Sequence, residues 1–195
     1  MPTSNASFLN ATRLNMQRLI MLRGVIMLAL GLVLFSLRQA AVPLPVLPLS
    51  LAIAALGLFS LIAWWRLQHT AQTHQAISQL ELLLQLLGDV FALSVLFYFS
   101  GGYSNPFIWM YLLPITVAAV ALRAGYAWLI ASLCIVFYTL LMFYHVPLSH
   151  LHLHAQLADQ DSVQLDIHLL GMWIGFVVST VIVAIFIARI GQNLR

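Results

Sequence analysis

The sequence is poor in charge. Only 7% of its 195 residues are Asp, Glu, Lys or Arg, and all eight basic residues are arginines. An average soluble domain carries about 25% charged residues. Because 63% of the residues are hydrophobic, the chain has too little polar surface to cover a soluble fold. The composition excludes a soluble globular domain and indicates that the lipid bilayer is the solvent.

Cysteine is almost absent. The single residue, Cys134, lies inside an apolar run, so an intrachain disulfide is excluded. Three histidines alternate at His150, His152 and His154, but no cysteine accompanies them and no partner spacing fixes a coordination geometry. Haem ligation would need histidine pairs at matched depth on facing helices, and the other histidines lie at helix ends or in a loop. We therefore predict neither a metal site nor haem.

Long apolar runs are abundant. Several approach the roughly 20 residues that a helix needs to cross about 30 Å of hydrocarbon. Six runs are present: Leu19–Leu37, Pro45–Trp65, Leu80–Phe99, Phe107–Leu122, Tyr126–Tyr144 and Ile167–Ile190. They predict an all-α membrane protein with six transmembrane helices, and an even number of crossings puts both termini on one side.

The arginines predict the orientation, because cytoplasmic loops of membrane proteins are enriched in Lys and Arg. With the N-terminus inside, seven fall at or near the inner face: Arg13, Arg18, Arg23, Arg66, Arg123, Arg189 and Arg195. Only Arg38 falls outside, and the outer connection from Val146 to Asp166 contains acidic residues and no arginine. Both termini are therefore predicted to be cytoplasmic. Since the arginines stand singly, no nucleic-acid partner is expected.

The runs divide the chain into three parts. Residues 1–18 are interpreted as a cytoplasmic N-terminal segment, residues 19–190 as the six-helix transmembrane domain, and residues 191–195 as the start of a cytoplasmic linker. Ile187, Ile190 and Leu194 follow a spacing of three and then four residues, with polar residues between them. This pattern predicts that the last helix leaves the membrane as an amphipathic rod. We expect the native protein to continue beyond Arg195.

The most informative string is Gly101-Gly102-Tyr103-Ser104-Asn105-Pro106-Phe107, between the third and fourth apolar runs. Glycines permit positive φ and an Asn-Pro pair starts a new segment, so the string predicts a tight turn at the outer face. Taken alone, the string indicates a turn and nothing more.

The pattern Gly-Gly-x-x-Asn-Pro-Phe resembles the heptapeptide assigned to ubiquinone binding in the RegB/PrrB family of redox-sensing histidine kinases. The string from His168 to Trp173, followed by Phe176 and Ser179, is similar to the last helix of those kinases, and the tail from residue 189 to 195 resembles their exit toward the kinase domain. Recognisable strings cover residues 80–195, and the first two helices match only in general layout. The resemblance implies a membrane-embedded input domain in a bacterial inner membrane.

The resemblance also implies partners. It implies a homodimer surrounded by membrane lipid, and a response regulator reached only through a kinase domain. These 195 residues contain no phosphoacceptor histidine motif and no ATP-binding motifs. The chain itself is therefore expected to catalyse nothing, and the kinase domain is expected after residue 195.

The ligand implied by the resemblance is ubiquinone or a related quinone. The implied ligand-binding residues are Gly101, Gly102, Tyr103, Ser104, Asn105, Pro106, Phe107 and Trp109. A quinone needs an apolar, aromatic slot and one or two donors for its carbonyl oxygens. Ser104 and Asn105 are the expected donors, and Tyr98, Tyr103 and Tyr111 belong to the aromatic cluster around the turn. An aromatic belt at the membrane interface gives the same cluster without a ligand.

Four residues are candidates for signal coupling: Asp89, Arg23, His168 and Trp173. Asp89 lies near the middle of the third helix, where an ionisable residue is a functional candidate by default. Two interpretations stand for it: structural pairing with Arg23, and proton or signal coupling. The spacing Gly171-x-x-x-Gly175 fits either a dimer contact or close packing within the chain.

A small membrane transporter or channel subunit is the main alternative function. It needs a polar path across the bilayer, and apart from Arg23, Glu81 and Asp89 the helices offer almost none. No repeat with broken helices is visible either. A quinone-reducing or cytochrome-like subunit ranks lower, because no cofactor ligand set is present.

Overall fold

A computed structural model describes residues 3–39, 45–73, 78–146 and 162–193, with side chains described from 14 to 36, 38 to 39, 45 to 69, 78 to 146 and 169 to 187. It contains six α-helices: α1 (Thr3–Gln39), α2 (Val46–Thr73), α3 (Gln79–Phe99), α4 (Leu112–Ala121), α5 (Ala124–Phe143) and α6 (Ser162–Asn193). Two short 3₁₀ helices, Gly102–Ser104 and Pro106–Tyr111, lie between α3 and α4. These ranges contain no strand, so the predicted all-α fold class is confirmed.

Five helices are long and apolar enough to cross a membrane. Their spans are Leu14–Ser36, Val46–His69, Gln79–Phe99, Ala124–Phe143 and Leu169–Ile187. A sixth, shorter apolar segment runs from Pro106 to Ala121. These six segments correspond to the six predicted crossings, with ends that differ by a few residues.

The fourth crossing combines two kinds of helix. Its first six residues form the 3₁₀ helix Pro106–Tyr111, and its last ten form α4. A rise of about 2.0 Å per residue in the 3₁₀ part and about 1.5 Å in the α part gives a length of about 27 Å, close to the hydrocarbon thickness. Pro114 lies in the first turn of α4, where a missing N–H is tolerated. The 3₁₀ winding therefore lets a short segment reach across the bilayer.

α3 is the central helix. It packs against α2, α4 and α5, and 56% of its span is buried, compared with 11% of the span in α1. Its buried apolar residues recur every three or four positions and include Leu82, Leu86, Val90, Leu93 and Phe97. α6 packs against α4 and α5, whereas α1 packs mainly against α2. The most enclosed helix therefore carries the carboxyl group of Asp89 near its middle, and the Gly101–Phe107 turn follows its C-terminal end.

The two ends of the chain lie on the same side because the bundle has six crossings. α1 is continuous from Thr3 into its span, so residues 3–18 form one helix with the first crossing. α6 continues to Asn193, beyond the end of its span at Ile187. The cytoplasmic orientation and the domain boundaries at residues 18 and 190 stay predictions.

Candidate functional site

The predicted turn lies between the end of α3 and the start of the fourth crossing. Gly101 and Gly102 have φ angles of 100° and 60°, in the left-handed region that favours glycine. A Cβ atom on Gly102 would clash with the side chain of His145 and would lie 2.9 Å from the carbonyl oxygen of Leu141. The turn thus needs glycine at position 102 for its backbone angle and for its close approach to the end of α5.

Asn105 holds the turn together. Its side-chain nitrogen donates to the carbonyl oxygen of Ser100 at 3.1 Å and to Ser100 Oγ at 2.5 Å. Its Oδ1 accepts the backbone N–H of Phe107 at 2.8 Å, which caps the second 3₁₀ helix. Ser104 Oγ donates to the carbonyl oxygen of Gly101 at 2.8 Å. The two side chains that the sequence suggests as donors to a quinone therefore use their hydrogens within the turn.

The aromatic residues of the turn lie on two sides of it. The ring of Tyr103 contacts the ring of His145 edge-on, with 5.1 Å between centroids. Pro106 begins the second 3₁₀ helix, and Phe107 and Trp109 are 39% and 44% exposed. The turn therefore packs one ring against the end of α5 and leaves two rings at the surface of the bundle.

Aromatic contacts join the second 3₁₀ helix to α6. The ring of Phe176, a fully buried residue of α6, lies 6.0 Å from that of Trp109, 6.1 Å from that of Tyr111 and 4.7 Å from that of Tyr138. The ring of Tyr111 also contacts that of Phe97 in α3, at 5.2 Å. The segment that follows the turn is therefore in direct contact with the last helix.

Of the other coupling candidates, Trp173 joins α6 to α5. Its Nε1 donates to Thr139 Oγ1 at 2.9 Å. The side chain of His168 lies outside the described residues. A Cβ atom on Gly171 or Gly175 would have no neighbour within 4 Å among the described atoms. That face of α6 is therefore not used for close packing within the described part of the chain.

An open groove of about 430 Å³ lies between α3 and α5, beside the turn. Five aromatic residues line it: Phe91, Tyr98 and Phe99 from α3, and Phe137 and Tyr144 from the α5 side. At the end of the groove nearest the turn, the backbone N–H of Val146 donates to the carbonyl oxygen of Tyr98 at 2.9 Å. Small-molecule sites have volumes of about 300–1,000 Å³ and are mostly apolar. The groove therefore has the size and lining of a ligand site.

A pair of hydroxyl groups lies at the inner wall of this groove. Ser94 lines the groove, and its Oγ donates to the carbonyl oxygen of Val90 at 2.7 Å. The hydroxyl of Tyr111 lies 2.6 Å from Ser94 Oγ. Since Tyr111 contacts Phe176, two direct contacts connect the groove to α6.

The mid-bilayer carboxyl group of Asp89 forms a buried ion pair with Arg23. The two Arg23–Asp89 N–O distances are 2.5 and 2.9 Å, and the residues are 2% and 8% exposed. The remaining guanidinium donors reach the side-chain and backbone oxygens of Gln85, both at 2.8 Å. The ring of Phe59 in α2 lies 4.7 Å from the guanidinium carbon. The expected structural pairing is thus present, and it ties α1, α2 and α3 together.

The space beside the ion pair is small. A cavity of about 20 Å³, lined by Arg23, Asp89 and Pro114 among others, has room for about one water molecule. The charges are neutralised by each other and enclosed. In the part of the chain that the structure describes, this arrangement gives no polar path across the bilayer of the kind a transporter needs.

Metal ligands do not cluster among the described side chains, where no group of three or more His, Cys, Asp or Glu residues could hold an ion. The alternating histidines at 150, 152 and 154 lie outside the described residues. Cys134 is buried, with its Sγ 3.9 Å from the carbonyl oxygen of Tyr111.

The fold and the site define a helical membrane domain of six crossings, with an aromatic cluster beside the Gly101–Phe107 turn in contact with its last helix. Residues 7–188 match the model of the PilS-like transmembrane domain. Because this match covers most of the chain, the chain belongs to the PilS-like transmembrane domain family.

The chain is also similar to the sensor histidine kinase RegB of Cereibacter sphaeroides. The two are 27% identical over 150 residues, which cover 76% of this chain and 31% of RegB. The chain therefore corresponds to less than a third of the length of that relative. No solved structure matches the chain significantly. The resemblance seen in the sequence is confirmed, and the chain is a transmembrane sensor domain of the RegB type.

Proposed function

We propose that the chain is the input domain of a sensor histidine kinase in a bacterial inner membrane, where it senses the redox state of the quinone pool. The observation that carries this proposal is the contact between the second 3₁₀ helix and Phe176, because it connects the turn with the last helix. The similarity to RegB over 76% of the chain supports the assignment to a kinase. The family-like string from Gly101 to Phe107 supports the choice of quinone.

Sensing requires two packings of the bundle that bind the ligand with different affinity. An oxidised quinone presents carbonyl acceptors and its reduced quinol presents hydroxyl donors, so one set of protein groups binds the two forms unequally. A ligand form that binds one packing tenfold more tightly than the other packing favours it by about 1.4 kcal/mol. Acting on a balanced equilibrium, that difference changes the populations to about ten to one.

α6 is the output element in this proposal. It has 32 residues, and it continues from its membrane span to Asn193 without a break. A displacement of its outer half, where Phe176 and Trp173 contact other elements, is therefore carried along one continuous helix. In the parent protein, we expect that helix to lead to the kinase, and a response regulator to be reached only through the kinase.

A homodimer is part of the proposal, and α6 offers a surface for it. Gly171 and Gly175 have open space around them, and Ile174 between them is 45% exposed. Small residues let membrane helices approach closely. In a Cys134→Ser background, Ile174→Cys should form a disulfide-linked dimer, whereas Leu58→Cys on α2 should not. Equal crosslinking at both positions would argue against dimerisation through α6.

Ligand binding to the 195-residue chain in lipid nanodiscs tests the proposed function. A short-chain ubiquinone and its quinol should each bind saturably, with unequal affinities. An alkylbenzene of similar hydrophobicity controls for simple partition into lipid. Binding that does not saturate would contradict redox sensing through a quinone, and so would two bound redox forms that leave the bundle in the same packing.

A further inference from the structure

We propose that the quinone ring binds in the groove between α3 and α5, with Tyr98 and Tyr144 as its hydrogen-bond donors, and that the turn from Gly101 to Phe107 braces this groove instead of holding the ring. The proposal rests on the quinone function proposed above and gives it a different set of contact residues. It separates the residues that touch the ligand from those that shape its site.

The two turn side chains expected as donors have no hydrogen to spare, and the only phenol of the turn, that of Tyr103, belongs to a ring packed edge-on against His145. Both hydrogens of the Asn105 amide are used on Ser100, and the hydroxyl hydrogen of Ser104 is used on Gly101. A ligand carbonyl that took either donor would leave a turn acceptor unpaired. Leaving a partly buried acceptor without its hydrogen bond is unfavourable. Recognition by these two side chains would therefore weaken the turn that presents them.

The groove combines free donors with an aromatic surface. Phe91 and Phe137 provide flat apolar surface, and Tyr98 and Tyr144 add phenol groups. Neither phenol hydroxyl forms a hydrogen bond with another described residue. Free donors beside aromatic surface complement a planar apolar molecule that carries carbonyl acceptors. A lipid acyl chain has no acceptor and gains nothing from these donors.

A second groove shows that this lining is not general. It lies between α1 and α4 and has a volume of about 330 Å³. Aliphatic residues such as Leu22, Val117 and Val120 line it together with Asn15, Arg18 and Thr116, and it has no aromatic side chain. The two grooves are similar in size and both open at the surface of the bundle. This aliphatic groove therefore serves as an internal control for binding that needs volume and polar groups but no aromatic surface.

The turn braces the aromatic groove through both of its walls. Gly102 packs on the carbonyl oxygen of Leu141, and Asn105 holds Ser100 at the end of α3. The hydrogen bond from Val146 to the carbonyl oxygen of Tyr98 joins the two rims directly. A change in the turn therefore alters the separation of α3 and α5, so the motif affects binding without touching the ring.

Photolabelling of the full chain in nanodiscs with an azidoquinone tests the site. Labelled residues should fall on both walls, within 91–99 and 137–144. Leu140→Trp should reduce labelling about fivefold or more by filling the groove, whereas Val120→Trp in the aliphatic groove should not change it. Both substitutions replace exposed apolar residues, at 45% and 55% exposure, so both variants should fold.

The donors are tested by Tyr98→Phe and Tyr144→Phe, each of which should weaken quinone binding by about threefold to tenfold because one hydrogen bond is lost. Tyr126→Phe, near the start of α5, is the matched control and should leave affinity unchanged.

The labelling pattern distinguishes the groove from the turn. If quinone binds saturably but labels only residues 101–107, or if Leu140→Trp does not reduce the labelling, the groove is not the binding site, and the proposed sensing function is unaffected. If a photoreactive phospholipid labels the groove and excess quinone does not displace it, the groove is a lipid site and not a quinone site. No saturable binding at all would overturn the proposed function as well.

Discussion

The bundle has two regions of opposite chemistry. Around Arg23 and Asp89, a charged cluster is enclosed, fully paired and accompanied by a cavity of about 20 Å³. Between α3, α5 and α6, the contacts are aromatic, no buried charge occurs among the described residues, and the groove holds about 430 Å³. Ion pairs with fixed geometry favour one relative position of the helices, whereas ring contacts tolerate several. The comparison indicates that the charged region holds α1 to α3 together and that the helices of the aromatic region can change their packing.

The largest expected effect is in the charged region. Asp89→Ala leaves the Arg23 guanidinium buried without its counterion, and breaking a buried pair in this way costs about 3–5 kcal/mol. The free energy of unfolding, measured by denaturation in mixed detergent micelles, should fall accordingly. Glu81→Ala is the control, since it breaks the pair with Arg66 at 3.2 Å, where the Arg66 side chain is 57% exposed. An exposed pair is worth about 0–1 kcal/mol. If the two variants lose equal free energy of unfolding, the enclosed ion pair contributes no more to stability than the exposed pair.

The second prediction concerns the turn. Gly102→Ala should destabilise the protein by about 1–3 kcal/mol, because alanine at φ +60° is strained and its Cβ clashes with the end of α5. Quinone affinity should fall with it, since the walls of the groove are displaced. Gly125→Ala, where a Cβ meets open space, should change neither stability nor binding. A stable Gly102→Ala protein that binds quinone normally would show that the turn does not brace the groove.

The third prediction ranks two polar residues of the turn. Asn105→Ala removes the cap of the second 3₁₀ helix and should cost about 1 kcal/mol, as other cap substitutions do. Ser104→Ala removes one bond within the turn and should cost less, because Ser104 is more exposed. Thermal unfolding of both variants gives the order. If Ser104→Ala lowers the stability more than Asn105→Ala, Ser104 and not Asn105 is the main brace of the turn.

The smallest expected effect is at the contact between α5 and α6. Trp173→Phe and Thr139→Val each remove one partner of a single hydrogen bond. A double-mutant cycle should give a coupling of about 0.6 kcal/mol, within the range measured for hydrogen bonds between membrane helices. A weak coupling between α5 and α6 would support the difference between the fixed charged region and the aromatic region, because an output helix must be able to move. A coupling as strong as that of the ion pair would indicate that α6 is fixed.

Much of the fold could be predicted because each membrane crossing is recognisable from a short stretch of sequence. Six apolar runs of suitable length, and a Gly-Gly and Asn-Pro turn, are visible in the sequence with no knowledge of packing. The winding of the fourth crossing could not be predicted in this way, because the 3₁₀ geometry of Pro106–Tyr111 depends on the cap from Asn105 and on packing around Tyr111. The Arg23–Asp89 pair was predictable, since two buried opposite charges in apolar runs need each other.

The candidate site was predicted only in part. The turn and Tyr98 are neighbours in sequence, so their aromatic and polar residues stand out together. The α5 wall is about forty residues away, and Phe137 and Tyr144 resemble any lipid-facing aromatic residues until α5 is packed against α3. The roles of Asn105 and Ser104 also needed the structure, because a sequence shows which side chains can donate and not which acceptors they already have.

The most direct test of the central claim is the distance between α5 and α6 in the two redox states of the ligand. Spin labels at Leu129→Cys and Ile185→Cys, in a Cys134→Ser background, lie on exposed positions of the two helices. Pulsed electron paramagnetic resonance on the doubly labelled chain in nanodiscs should give one distance distribution with bound ubiquinone and a different one with bound ubiquinol. Leu140→Trp should remove this difference. Identical distributions for two ligands that both bind would contradict the account.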